Sequence, residues 1–468
     1  MFNISKKDVI WGYFAQFFSI ASGIIILPLV LRLLTPEEIG MNYLMITVGA
    51  LASLFDFGFA PQIARNITYI FSGSQELKSE GITDEITPSS VSYSLLANMI
   101  FTVRYLYRRL SVIVLIFMIS IGTYYIYNIT EGFSTVKNSL VIWLVYSVSI
   151  FFNIYYSYYT SLLTGKGQVT ESRKAVVYSK ITLIMLTILL LSLGIGLLGV
   201  AVANLIASFV NRIISYNFFF TPEINAKINA FKYNRQEINK LFKIIWFNSK
   251  KVGLINVAGS SLGYLTIFIV GLFMSLKEVA SYGLMVQLSN VLSIVSITLF
   301  TTYLPKMSYL YLNKEYRNLT EQISVTVLSF YIIFLAGMVF FYFFGNESLN
   351  VIQSKTELPP KWIVLLFLFF MLIEKNQSLF SQILLFENRV PFMGAALITG
   401  FISIILVFTT LYLDLGFLGI VLAQGLPTLF YSAWKWPLVV FRKLNISYQD
   451  IIGMGFSGIA ESFQNKKS

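Results

Sequence analysis

The chain has 468 residues, of which 56% are apolar and only 12% are charged, and its mean hydropathy is +0.73. A soluble protein of this size could not cover its surface with so few polar side chains, so the composition predicts a polytopic membrane protein. There is no cysteine and no histidine, which excludes disulfides, histidine-based metal sites and imidazole proton transfer. Carboxylates would have to carry any proton, and we predict no metal, cofactor or catalytic residue.

Twelve apolar segments approach the ~20 residues that a helix needs to cross the hydrocarbon of a bilayer. The first segment is too long for a cleaved signal peptide, so we expect it to remain as a span. The predicted spans cover residues 10–34, 39–66, 108–129, 139–163, 174–194, 196–220, 250–274, 279–304, 322–345, 361–386, 391–413 and 415–441.

The basic residues are distributed unevenly between the predicted loops. With the N-terminus inside, most of the 34 lysines and arginines lie in the inside loops and termini. This asymmetry is the positive-inside pattern of membrane proteins. It predicts that both termini are cytoplasmic, and it explains the net charge of +12 without any nucleic-acid partner.

Two short motifs occur twice in the chain. The sequence GLLG at 196–199 recurs as GFLG at 416–419, and the segment 34–45 resembles the segment 274–285. A repeat after six spans predicts an all-α protein of two six-helix bundles related by pseudo-twofold symmetry. The predicted domains are an N-terminal six-helix bundle at 1–220, a cytoplasmic basic linker at 221–249, a C-terminal six-helix bundle at 250–441 and a cytoplasmic tail at 442–468.

Three motifs carry a family resemblance. LLTPEEIG at 33–40 closes the first span, DFG at 56–58 precedes PQIAR at 61–65, and the two GxLG elements follow. They resemble the polysaccharide-transporter branch of the multidrug/oligosaccharidyl-lipid/polysaccharide (MOP) exporter superfamily, especially the O-antigen flippases. The resemblance implies two bundles around a central cavity in the cell inner (plasma) membrane. It also implies that an undecaprenyl-diphosphate-linked O-antigen or capsule repeat unit crosses to the periplasmic leaflet by alternating access.

The resemblance also implies partners and an energy source. The partners are the lipid-linked glycan, the bilayer and H⁺ or Na⁺, with the polymerase and chain-length regulator of the same pathway as further candidates. No glycine-rich phosphate loop is present, so we expect an ion or substrate gradient rather than ATP to drive transport. The protein is therefore predicted not to be an enzyme.

Three alternatives stay open. A lipid II flippase is disfavoured because Gln16 lies in a stretch without a basic residue before Arg32, where flippases of that type carry arginines. A multidrug exporter of the same superfamily is the second alternative. The third, from another class, is a membrane glycan polymerase or ligase. It would need a large outside loop, whereas the longest predicted one, around residues 345–360, is short.

The tenth predicted span contains a charged pair. A charge at the centre of a membrane helix costs about 2.5–3.5 kcal/mol on insertion scales, so its retention needs a reason. Glu374 and Lys375 lie near the middle of this span, and Gln377 shares the Glu374 face. The functional interpretation makes Glu374 an ion-coupling carboxylate, and Lys375 and Gln377 contacts for phosphate or sugar. The alternative is a structural ion pair with another helix.

Two further charges lie within predicted spans. Asp56, late in the second span, is either a second ion-coupling carboxylate or a structural lock that pairs with Arg65 or another basic residue. Arg212 in the sixth span either binds the diphosphate or extends its stem to the cytoplasmic interface. Asn204 and Asn211 share one face of the same helix and would supply further polar contacts to the substrate.

The remaining candidates lie near the ends of predicted spans. Arg32 and Arg65 are candidate gates at the two mouths of the path, where they would contact substrate. Arg32, at the outer end of the first span, could instead be an interface anchor. A run of tyrosines in the fourth span would either stack on sugar rings or pack at the inner interface. These tyrosines are Tyr155, Tyr156, Tyr158 and Tyr159.

Overall fold

The computed structural model describes residues 6–78, 91–231, 234–387 and 391–464. Within these ranges the chain forms helices and no extended strand, which confirms the predicted all-α class. The helices of the described residues are α1 (Lys6–Leu33), α2 (Pro36–Ser53), α3 (Phe59–Phe71), α4 (Tyr93–Phe117), α5 (Thr123–Ile129), α6 (Ser139–Tyr156), α7 (Tyr158–Gly165), α8 (Val169–Ser192), α9 (Leu197–Phe219), α10 (Pro222–Asn229), α11 (Arg235–Phe273), α12 (Leu276–Leu312), α13 (Tyr316–Val351), α14 (Lys361–Leu384), α15 (Met393–Tyr412), α16 (Gly416–Phe430), α17 (Ser432–Leu444) and α18 (Tyr448–Gln464).

Ten helical segments among the described residues are long and apolar enough to cross a membrane. They overlap ten of the twelve predicted spans, and the other two predicted spans fall on α1 and α11. Helix α11 has 39 residues, which is about 58 Å at 1.5 Å per residue and longer than the hydrocarbon requires. The chain is therefore a multi-pass membrane protein with a helix at each predicted span.

The predicted second span, 39–66, is two helices rather than one. Helix α2 runs into a short 3-10 turn that ends at Asp56, and α3 starts three residues later. Between them Phe57 and Gly58 have φ values of 48° and 73°, a left-handed conformation that glycine adopts at low cost. The Asp56 carboxylate then accepts a hydrogen bond from the Ala60 amide at 3.3 Å and so satisfies a free donor at the start of α3.

Other helix boundaries also differ from the prediction. The helix of the third span starts at Tyr93, before the predicted 108, and continues through a π-helical turn at Met118–Gly122 into α5. Arginines at 104, 108 and 109 lower the hydropathy of that stretch, which is why the sequence pattern placed its start too late. The fourth and twelfth predicted spans are each interrupted, at Ser157 and at Tyr431.

The chain divides by its internal contacts into unit 1 (Met1–Phe268) and unit 2 (Ile269–Ser468), and the division falls within α11. In unit 1, α8 packs against α1 and α9, while α6 packs against α4 and α9. In unit 2, α13 packs against α12 and α18, and α14 packs against α16 and α17. The domain boundaries expected from the sequence and the cytoplasmic location of the termini stay predictions, but the expected tail contains a docked helix, α18.

The repeated segment 34–45, which resembles 274–285, forms the same local structure in both units. At the start of α2 the Thr35 amide donates to the Glu38 carboxylate at 2.9 Å, and the Glu38 amide donates to the Thr35 hydroxyl at 3.2 Å. At the start of α12 the Ser275 amide donates to Glu278 at 2.9 Å, and the Glu278 amide donates to the Ser275 hydroxyl at 3.4 Å. Each is a capping box, which satisfies two free amides at a helix start.

The GxLG repeat, at 196–199 and 416–419, begins in both units with a glycine of positive φ. Gly196 before α9 and Gly416 at the start of α16 have φ values of +68° and +54°, in the region that favours glycine. Helix α9 packs against α8 in unit 1, and α16 packs against α15 in unit 2. The sequence repeat therefore corresponds to a repeat of local structure.

Candidate functional site

Arg212 is a half-buried cation within a membrane-spanning helix of unit 1, α9. Its guanidinium carbon lies 4.8 Å from the centre of the Tyr156 ring, which is within the range of a cation–π contact. Its Nε is buried and has no hydrogen-bond partner. Among the described residues no carboxylate pairs with it. The guanidinium therefore keeps an unused donor at a place where water is scarce.

The tyrosine run next to Arg212 has two environments. Tyr158 and Tyr159 in α7 are buried, and their rings stack with centres 4.3 Å apart. Tyr155 and Tyr156, at the end of α6, are only half-buried, with ring centres 5.0 Å apart. Both expected roles are therefore compatible with the run, since one pair packs in the core and the other leaves ring surface beside the cation.

The two asparagines of α9 bond along their own helix. The side-chain Nδ2 of Asn204 donates to the Val200 backbone carbonyl at 3.0 Å. The side-chain Oδ1 of Asn211 accepts from the Ser215 hydroxyl at 3.3 Å. No hydrogen bond of the described residues joins either asparagine to Arg212. Their contacts fit helix packing, so the structure does not bring the predicted polar set of the sixth span together.

Asp56 uses both carboxylate oxygens in contacts with protein groups. One accepts a hydrogen bond from the Tyr107 hydroxyl of α4, and the other accepts from the Ala60 amide. Arg65 does not pair with Asp56 but donates to Gln62 at 2.5 Å within α3. The two bonds of Asp56 tie the break between α2 and α3 to α4. Among the described residues Asp56 forms no ion pair with a basic residue, so the structural interpretation stays a prediction. The ion-coupling role of Asp56 stays a prediction as well.

The two candidate gates lie apart from these groups. Arg32 is exposed in the last turn of α1, and Arg65 is exposed in the middle of α3. No ion pair or hydrogen bond in the described ranges connects either arginine with Arg212. Their role at the mouths of a path stays a prediction.

Glu374 and Lys375 form an ion pair within α14 of unit 2. The Lys375 Nζ lies 3.0 Å from the Glu374 Oε1, and the side chains are 24% and 50% exposed, respectively. The expected alternative, an ion pair with another helix, is not found among the described residues. Neutralisation by an adjacent residue lowers the cost of placing both charges in a membrane helix, while half of the Glu374 side chain remains open.

The next residue joins α14 to two other helices. The side-chain Oδ1 of Asn376 accepts a hydrogen bond from the Tyr331 hydroxyl of α13 at 2.6 Å. The side-chain Nδ2 of Asn376 donates to the Tyr448 hydroxyl of α18 at 3.2 Å. One residue further, the Gln377 side chain accepts a local bond from the Ser381 hydroxyl at 3.4 Å, and the bonds of Gln377 among the described residues stay within α14. Tyr331 and Tyr448 were not predicted as members of the site, because partners 45 and 72 positions away leave no local pattern in the sequence.

Outside the membrane-spanning segments of unit 1, α11 is tied to the break between α2 and α3. Lys240 donates a hydrogen bond to Glu76, which holds the pKa of the Glu76 carboxyl below its usual value and that of Lys240 above its own. Six residues further along α11, the Trp246 ring stacks on Phe57 with centres 6.0 Å apart. The exposed ion pair stabilises little, whereas the aromatic contact buries apolar surface at the break.

Known structures with similar folds are membrane transporters. A multidrug resistance MATE family transporter of the MOP superfamily, in an inward-facing conformation, matches with a TM-score of 0.62 and 17% identity over 94% of this chain and 99% of its own. The lipid II flippase MurJ, in an inward closed conformation, matches with a TM-score of 0.63 and 15% identity over 97% of this chain and 92% of its own. An outward-facing MATE family transporter of that superfamily matches with a TM-score of 0.51 and 17% identity, over 94% and 95%.

These similarities establish the fold. No protein-family model and no curated protein sequence matches the chain. At 15–17% identity, the matches show that the chain has the fold of MOP-superfamily transporters, in which helices form two bundles. The resemblance is confirmed at this level, and its O-antigen flippase branch stays a prediction.

Proposed function

We propose that this protein is a flippase for an undecaprenyl-diphosphate-linked oligosaccharide, such as an O-antigen or capsule repeat unit. It would move this lipid from the cytoplasmic to the periplasmic leaflet of the inner membrane by alternating access. The fold supports a transporter, since the similar structures are named as MATE family transporters and a lipid II flippase. The polymerase and chain-length regulator of the same pathway would act on the delivered glycan.

The observation that carries this proposal is the cation Arg212, which pairs with no carboxylate among the described residues. Its ring contact with Tyr156 stabilises the cation by about 0.5–2 kcal/mol, but its buried Nε has no hydrogen-bond partner among the described residues. An anionic substrate would supply the missing acceptor. A guanidinium presents paired N–H donors that match phosphate oxygens, so a lipid diphosphate is the anion that fits both its chemistry and its membrane position.

The neighbouring rings suit the glycan part of the same substrate. Tyr155 and Tyr156 are half-buried beside Arg212, and each combines an apolar ring face with a hydroxyl at its edge. Sugars present C–H faces and hydroxyls, so these rings would stack on the first sugars and hydrogen-bond with them. In this proposal the diphosphate would lie at the cation and the oligosaccharide along the tyrosines.

Glu374 and Lys375 would supply the coupling. When the Glu374 carboxylate binds H⁺ or Na⁺, its attraction for Lys375 falls and the lysine becomes free to bind an anion. Ion binding and substrate binding would then be linked, and the linkage has the same size in both directions. The proposal therefore makes this pair an exchange point between ion and phosphate, with Gln377 as a neighbouring polar contact.

A multidrug exporter is the second candidate. Two of the similar structures are multidrug resistance MATE family transporters, and the half-exposed Glu374 suits a cationic drug. Arg212 disfavours it, because an unpaired cation repels such substrates. The polymerase or ligase alternative has no support from the fold.

The test uses proteoliposomes that contain a fluorescent undecaprenyl-diphosphate-linked oligosaccharide. We expect Arg212→Gln to slow translocation about tenfold or more, since a charge-assisted phosphate contact is lost, and Arg212→Lys to restore part of the rate. Arg109→Gln is the matched control, because Arg109 also stacks on a tyrosine, Tyr105 at 4.1 Å, but is exposed.

Two results would contradict the proposal. Equal translocation rates for the wild type and Arg212→Gln would remove the cation from substrate binding. Export of cationic drugs without any movement of the lipid-linked glycan would favour the second candidate instead.

A further inference from the structure

The C-terminal helix α18 packs along α13 of unit 2. A side chain at Gly455 would come within 2.8 Å of the Ser324 carbonyl oxygen and 2.9 Å of the Leu328 side chain. One turn further, a side chain at Gly458 would meet Val325 at 2.5 Å. Because glycine has no side chain, the two helices approach closely here, and α18 is docked by backbone contact.

Hydrogen bonds and a ring contact also hold the start of α18. The Ser447 amide and hydroxyl both donate to the Asp450 carboxylate, at 2.8 and 2.7 Å, and these bonds hold the pKa of Asp450 below its usual value. The Tyr448 ring lies edge-on to Phe441 of α17, with centres 4.6 Å apart. The Tyr448 hydroxyl is thereby aimed at α14.

The Tyr448 hydroxyl meets α14 beside the charged pair. It accepts the hydrogen bond from Asn376, the residue that follows Lys375 and Glu374. Asn376 is held on its other side by Tyr331, so both ends of the amide have partners. Successive residues of a helix differ by about 100° in direction, and fixing Asn376 therefore fixes the direction of the two charged residues before it.

We propose that α18 is a positioning element and that Tyr448 is its positioning residue for the Glu374–Lys375 pair. This inference rests on the proposed ion-coupling role of Glu374 and gives the C-terminal helix a part in it. The hydroxyls of Tyr448 and Tyr331 hold one turn of α14 in the orientation in which Glu374 and Lys375 meet at 3.0 Å. Within this turn of α14, residues 374–377, the titratable groups are Glu374 and Lys375.

The first test measures ion binding without any glycan. Melting temperatures of the purified protein in detergent are followed with increasing Na⁺ and, separately, with increasing proton concentration, since a ligand of the folded state raises the melting temperature. We expect Tyr448→Phe to weaken ion binding about threefold, the size of an average hydrogen bond between membrane helices. Glu374→Gln should abolish the ion effect.

Two further variants separate positioning from general stability. Gly455→Leu should undock α18 and weaken ion binding at least as much as Tyr448→Phe does. Gly453→Leu is the matched control, because a side chain at Gly453 would meet nothing within 4 Å. In an Asn376→Leu background, Tyr448→Phe should have no additional effect on ion binding, because the bond is already lost.

Docking itself is measured with Ser324→Cys, which uses the absence of natural cysteine. Ser324 is fully buried, so its thiol should react slowly with a water-soluble maleimide, and about tenfold or more faster once Gly455→Leu is added. Unchanged ion affinity in both Tyr448→Phe and Gly455→Leu would overturn the inference. Normal ion binding by the wild type without glycan translocation would overturn the proposed function and leave the positioning role standing.

Discussion

Arg212 of unit 1 and Lys375 of unit 2, two cations within membrane-spanning helices, have opposite kinds of partner. In unit 1, Arg212 stacks on a tyrosine and has no carboxylate partner among the described residues. In unit 2, Lys375 is neutralised by the adjacent Glu374 at 3.0 Å. The capping boxes at the starts of α2 and α12 are nevertheless the same. The capping box is thus common to both units, while these two cations have different partners.

The largest effect is expected where the paired charge is broken. Glu374→Gln should abolish the gradient-dependent part of translocation, because an amide cannot take up a proton and binds Na⁺ weakly, and it should leave expression intact. Translocation is measured in proteoliposomes with and without an imposed H⁺ or Na⁺ gradient. Glu347→Gln is the matched control, since Glu347 also pairs with a lysine, Lys361 at 3.7 Å, and is 56% exposed. Full gradient dependence in Glu374→Gln would remove Glu374 from the mechanism.

An intermediate effect should sharpen the comparison of the two capping boxes. The Glu38 carboxylate also accepts a hydrogen bond from the Leu197 amide at 3.3 Å, at the start of α9, whereas no such bond to α16 is seen for Glu278 in the described residues. We therefore expect Glu38→Ala to lower the free energy of unfolding by about 2 kcal/mol and Glu278→Ala by about 1 kcal/mol. Thermal unfolding in detergent measures both, and equal losses would show that the bond to Leu197 is unimportant.

The smallest effect concerns the exposed pair of Glu76 and Lys240. Because the pKa of Glu76 is lowered and that of Lys240 is raised by their contact, the pair stabilises the fold between these values. Its contribution is lost as the pH falls through the Glu76 pKa or rises through the Lys240 pKa. Glu76→Gln should leave the melting temperature at neutral pH nearly unchanged. It should only make the melting temperature fall less steeply as the pH is lowered into the acid range. A large loss at neutral pH would contradict this expectation.

Hydropathy was sufficient to predict the all-helical class, because a chain that crosses the hydrocarbon of a bilayer must satisfy its backbone hydrogen bonds within each helix. A span must be apolar over about twenty residues wherever its partners lie, so each predicted span contains a helix. Capping motifs are equally local, since Thr35 and Glu38 are three residues apart, and the repeat could therefore be read directly. The early start of α4 was missed because its arginines interrupt the apolar pattern while the helix continues.

The contacts of the candidate site depend on distant positions and could not be predicted. Asp56 meets Tyr107 from a helix 51 positions away, and Asn376 meets Tyr448 from the expected tail. Nothing in the sequence around either residue selects its partner. The sequence identified Arg212, Glu374 and Lys375 by the cost of a charge in hydrocarbon, but only the fold distinguishes the paired cation from the unpaired one.

The Glu38 carboxylate has a mechanical consequence for unit 1. It holds the first turn of α2 through Thr35 and the first turn of α9 through Leu197, and a side chain at Gly196 would come within 2.9 Å of the same carboxylate. The two helix starts are thus fastened by one joint with no room for an added methyl group. Separating the two helix starts would break the bond to Leu197, so we expect a rearrangement of unit 1 to carry them together.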